Sequence, residues 1–85
     1  MKIRKVLIEC TAQQKILEHG LKREEVENAL LEGKPKFSKD RYGRYLALTR
    51  HNRYITVVFE YANFNADVIT AYKSSDWQIR RYKRK

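Results

Sequence analysis

Tyr54-Ile55-Thr56-Val57-Val58-Phe59-Glu60-Tyr61 is the stretch on which the fold turns. Its β-branched and aromatic side chains suit an extended, pleated backbone. The run Ile55-Thr56-Val57-Val58-Phe59 has no polar alternation, which predicts a central strand covered on both faces. Toward the C-terminus, Tyr61 to Ala66 contains two asparagines and reads as a loose turn. Asp67 to Lys73 then forms another strand, offering Val68, Ile69 and Ala71 to a core. Toward the N-terminus, Arg50-His51-Asn52-Arg53 is a turn. Before it, Arg44 to Arg50 alternates, with Leu46 and Leu48 on one face and Tyr45, Ala47 and Thr49 on the other. Asp40-Arg41-Tyr42-Gly43 is a further turn, preceded by a weak strand over Lys36 to Lys39. Successive strands joined by short turns make an antiparallel meander.

The first half of the chain is helical. Val6-Leu7-Ile8 is a short strand, after which Thr11-Ala12-Gln13-Gln14 matches a capping box. The helix it would open ends at His19-Gly20, where glycine suits the left-handed residue after a helix. A second helix runs from about Lys22 to Glu32. Glu24 and Glu25 favour its N-terminal dipole, and Gly33 and Pro35 stop it. At the other end of the chain, Ser75 and Gln78 form a second capping box that starts a short basic helix, with Trp77 expected to anchor it on the sheet. The expected fold is therefore α+β in a single domain over residues 1–85. Its order is β-α-α-β-β-β-β-α, with two helices on one face of an antiparallel meander and the other face open.

Charge narrows the function. Nineteen Lys and Arg against ten Asp and Glu give a formal net charge of +9. Five acids (Glu18, Glu24, Glu25, Glu27, Glu32) cluster in the helical half, whereas Lys34 to Arg53 holds seven cations and only Asp40. The last six residues add Arg80, Arg81, Lys83, Arg84 and Lys85, of which 83–85 read as a basic tail. An acidic helical side and a basic sheet side attract polyanions, RNA first among them. Cys10 stands alone, which excludes an intramolecular disulfide and a cysteine metal cluster, and it reads as a small buried apolar residue. With no apolar run of membrane-spanning length and no secretory signal, the expectation is a cytoplasmic protein without a membrane partner. A core this small is a natural candidate for supplement by a homodimer or a protein partner.

No Walker loop, dinucleotide fingerprint or serine elbow is present, and His19 and His51 lack metal-ligand spacing, so no cofactor and no metal are expected. Cations, tyrosines and two histidines remain. That set suits RNA cleavage without a metal. The substrate's 2′-hydroxyl attacks the adjacent phosphorus, a protein base and acid move protons, and fixed cations neutralise the phosphorane.

Glu18-His19-Gly20-Leu21, Glu24-Glu25-Val26, Gly33-Lys34-Pro35 and Gly43-Arg44-Tyr45-Leu46-Ala47-Leu48-Thr49-Arg50 together resemble the BrnT family of toxin ribonucleases. So do Tyr54 to Glu60, Val68 to Lys73, and Arg80-Arg81-Tyr82. The alternative is a neighbouring family of small uncharacterised domains that shares the His-Gly and Glu-Glu-Val features. The BrnT resemblance implies a RelE-like fold, activity on RNA (mRNA, free or on the ribosome) and a cognate antitoxin protein. Within it, Lys73, Arg50 and Arg81 would stabilise the phosphorane while His51 or Tyr82 transfers protons. Arg44, Arg53, Tyr54 and Arg80 would hold RNA, the tyrosine by stacking. Two further readings use the same residues: a non-catalytic RNA- or DNA-binding module, and a protein-interaction subunit whose sheet face meets an acidic partner. His19 is assigned to the helix end.

Overall fold

The structure, a computed structural model, describes residues 1–84. The elements follow the expected order: β1 (Lys5–Leu7), α1 (Cys10–Glu18), α2 (Arg23–Leu31), β2 (Lys36–Lys39), β3 (Tyr45–His51), β4 (Arg53–Ala62), β5 (Asn65–Lys73) and α3 (Asp76–Lys83). They make an α+β domain around one five-stranded sheet of order β1-β5-β4-β3-β2. Strands β2 to β5 are the antiparallel meander. β1 joins its edge in parallel with β5, pairing Val6 with Ala66, so the sheet is mixed. β4 is the middle strand, as its uninterrupted apolar run requires.

Register divides the side chains between two faces. Ala47 opposite Val57, Thr49 opposite Ile55 and Val57 opposite Ala71 point toward α1 and α2. There Ile55, Val57, Phe59, Val68 and Ala71 meet Ile16, Leu21, Val26, Ala29 and Leu30 in one buried cluster. Phe59 is its largest member, stacked on Tyr45 and edge-on to Phe37.

The helix ends are held by specific bonds. Gly20, at φ +76°, closes α1: its N–H donates to the Leu17 carbonyl and the Leu21 N–H to that of Ile16. α2 opens with the Lys22 N–H donating to Glu25 Oε1 at 3.2 Å. The Asp40–Gly43 turn is fastened by Asp40 Oδ1, which accepts from the Tyr42 and Arg44 N–H groups at 2.8 and 2.9 Å.

Several local expectations are corrected. The Thr11–Gln14 box does not form: α1 already includes Cys10, and Glu9 occupies the position before it. Cys10 is exposed because it lies on the first turn, off the stripe made by Ala12 and Ile16. The turn after β4 is tight: Asn63 and Phe64, both at positive φ, connect the paired residues Ala62 and Asn65. Finally, the face opposite α1 and α2 is partly covered by α3, described next, and Lys83 is helical. Lys85 lies outside the described residues.

Candidate functional site

On the face away from α1 and α2, β3 and β4 present Leu48 opposite Thr56 and Arg50 opposite Tyr54. α3 packs over these residues: Leu48 is 6% exposed and Thr56 is fully buried. The side chain that seats the helix is Gln78, 4% exposed, and Trp77 is 55% exposed. The expected tryptophan anchor is therefore wrong. Gln78 tolerates burial because both ends of its amide are bonded. Its Oε1 accepts from the Ser75 N–H at 2.9 Å, as the capping box requires, and its Nε2 donates to the Tyr72 hydroxyl at 3.2 Å. Tyr82, one turn on, holds the far end by donating its hydroxyl to the Lys34 carbonyl at 3.0 Å.

This docking assembles a ladder of rings and cations. The Tyr54 and Tyr82 rings meet edge to face, 6.0 Å between centroids. Arg50 and Lys83 lie 5.2 and 5.6 Å from the centre of the Tyr54 ring, and Lys36 lies 5.7 Å from that of Tyr82. Lys36 also donates to the Arg84 carbonyl, completing the C-terminal end of α3. On the outer flank, Trp77, Arg80, Arg81 and Arg84 border a groove of about 730 Å³ closed on its other side by Lys36, Phe37, Ser38 and Leu48.

The sequence candidates fall into three places. Arg50, Tyr54 and Tyr82 belong to the ladder, and Arg80 and Arg81 line the adjoining groove. His51 terminates β3 beside Arg50, but pairs with Arg53 on the α1–α2 side of the sheet. Lys73 pairs with Ile55, also on that side, and its ammonium lies over Gly20 at the C-terminal end of α1. Arg44 sits by the Asp40–Gly43 turn, at the other end of β3 from Arg50, a separation of about 20 Å at strand rise. Arg53 is engaged structurally. It donates to both Glu25 carboxylate oxygens, at 2.9 and 2.8 Å, and to the Gly20 carbonyl at 2.8 Å, clamping β4 to both helices. Arg53's hydrogen bonds hold the Glu25 carboxyl below its ordinary pKa; partial burial opposes this and the Lys22 N–H reinforces it.

Lys36 and Lys83 are ladder members that sequence reasoning missed. The cation count flagged both segments, but neither residue carries a local motif. Only the α3 docking brings Lys36 to Tyr82, 46 positions away in sequence (82 − 36).

Fold and site together define a small α+β domain with a cation–tyrosine surface built by its C-terminal helix. The chain belongs to the DUF4258 family (Domain of unknown function), whose model matches residues 12–73. The match runs from within α1 to the end of β5 and stops before α3, so most of the groove-lining cations lie beyond it. No curated protein and no solved structure matches the chain.

Proposed function

We propose that this protein acts on RNA as a BrnT-like toxin with a RelE-like fold: an endoribonuclease that uses the substrate's own 2′-hydroxyl, neutralised by an antitoxin protein. The observation that supports this reading is the ladder of Lys36, Arg50 and Lys83 around the Tyr54 and Tyr82 rings. Cations at fixed positions serve the phosphate backbone, and a phosphorane's developing charge calls for the same groups. Arg50 and Arg81 act on the phosphorane, and Tyr82 handles protons. Lys73, over Gly20, and His51 lie across the sheet and stand apart from them.

That separation favours a second reading, in which the same surface binds RNA without cutting it. One experiment separates the two. Purified protein is incubated with end-labelled RNA in excess EDTA, comparing wild type with Arg50→Ala, Arg81→Ala and Lys73→Ala. Cleavage leaving 2′,3′-cyclic phosphate ends, reduced at least tenfold by Arg50→Ala with an unchanged melting transition, is the expected result. Salt-dependent binding with no cleavage, on free RNA and on ribosomes, selects the second reading. Loss of cleavage only in Lys73→Ala moves the reaction to the α1 side of the sheet.

A further inference from the structure

The groove beside α3 shares only Lys36 with the ladder. Trp77, Arg80, Arg81 and Arg84 recur at spacings of three, one and three, which puts them on one flank of the helix. Across from them stand Lys36, Phe37, Ser38 and Leu48. Four of these eight lining residues are cations and none is an acid, so the complementary occupant is a polyanion. Trp77 is 55% exposed, on a helix already seated through Gln78 and Tyr82. Packing therefore does not account for a tryptophan at this position. A large flat ring held at the edge of a cationic groove is the arrangement that stacks an unpaired base while its phosphates are held alongside.

We propose that this groove binds single-stranded nucleic acid, with one base stacked on Trp77 and the flanking phosphates on Arg80, Arg81, Arg84 and Lys36. The inference rests on the RNA-directed reading above and deepens it by specifying the strand state. In a duplex the faces of the bases are stacked on one another, and only the terminal ones are open to an indole. An unpaired strand offers a face at every nucleotide. Recognition at this position is then tolerant of base identity, because every base has a π-face.

Trp77 is the only tryptophan in the chain, so its fluorescence reports on this site alone. The probe is a short single-stranded oligonucleotide with 2′-O-methyl riboses, which lack the attacking hydroxyl and survive the titration. Its dye label gives anisotropy as an independent measure of binding. The expected result is saturable quenching of Trp77 at the midpoint found by anisotropy. Trp77→Ala should weaken binding roughly 5- to 100-fold, and Trp77→Phe should restore most of it. Circular dichroism of both variants checks that the fold is intact. A duplex of the same sequence should bind more weakly and quench less. Single-strand binding by anisotropy with unchanged Trp77 emission and wild-type affinity in Trp77→Ala overturns this inference and leaves the RNA-directed reading standing. Equal quenching by the duplex overturns the single-strand assignment. Failure of any oligonucleotide to bind at low salt overturns both, and quenching by poly-glutamate in that case assigns the groove to an acidic protein segment.

Discussion

Substituting Gly33 by alanine tests the packing of α2 on β3 at its tightest point. Gly33 follows α2, where the chain passes over β3 on its way to Pro35. A Cβ there would stand 2.5 Å from the Ala29 carbonyl oxygen, 2.9 Å from that of Arg50, and closer still to Thr49 Oγ1. Gly33 is not at positive φ, so the cost comes from contact rather than conformation. Thr49 has little room to yield: it is 1% exposed, and its hydroxyl donates to the Ala29 carbonyl at 2.7 Å. Forcing a methyl into a packed site costs about 1–3 kcal/mol. Breaking the Thr49–Ala29 bond and leaving its groups buried adds about 1–3 kcal/mol. A total of about 2–6 kcal/mol is a large part of the roughly 4–13 kcal/mol available to a chain of this length. It lowers Tm by about 10–30 °C.

The assay is urea and thermal unfolding of Gly33→Ala followed by far-ultraviolet circular dichroism, with Thr49→Ala and the double variant completing a cycle. Removing the Thr49 hydroxyl clears one obstruction and leaves the two carbonyls. The double variant should therefore be more stable than the sum of the single effects predicts, yet remain below Thr49→Ala. A Gly33→Ala stability within about 0.5 kcal/mol of wild type would refute the close approach of α2 to β3, since that is the range of an unconstrained surface change.

Two further perturbations test the clamp and the helix seat. Glu25→Gln should cost about 1 kcal/mol, at the upper end for a partly exposed ion pair, and the loss should shrink in high salt. Because the folded Glu25 pKa is lowered chiefly by Arg53, the carboxylate contributes stability above its unfolded pKa and loses it as pH falls through the folded value. Wild type should thus lose more stability than Glu25→Gln on acidification below the ordinary glutamate range; parallel acid titrations of the two would contradict the pairing. Gln78→Ala removes the Ser75 N–H acceptor and the Tyr72 partner, at a cost of about 1–3 kcal/mol. Faster amide exchange across residues 76–83 should accompany it, and unchanged protection there would mean that Gln78 does not seat α3.

How much was legible in the sequence differs from element to element. The chain fixes what its neighbours along the backbone decide. The β-branched run Ile55–Phe59 makes the middle strand, and Asp40–Gly43 makes a turn because Asp40 reaches the two N–H groups after it. Gly20 and the Ser75–Gln78 box mark helix ends through bonds spanning five residues or fewer. The candidate site was legible as single cations and tyrosines in segments far apart in the chain, Arg50, Tyr54, Arg80, Arg81 and Tyr82 among them, but not as one surface. Tertiary structure decided the rest. Alternation says that Arg50 and His51 face opposite ways, but only the core shows which side is which. In the eight residues of α3 the apolar Trp77 does not share a face with Ile79 and Tyr82, and hydrophobicity alone favours the tryptophan over the amide between them. Burial went instead to Gln78, because Ser75 and Tyr72 satisfy its amide and Tyr82 reaches the Lys34 carbonyl. That choice leaves Trp77 exposed beside the arginines and brings Lys36 to Tyr82. The parallel seat of β1 on β5 is likewise a matter of long-range pairing, which three residues of strand cannot announce by themselves.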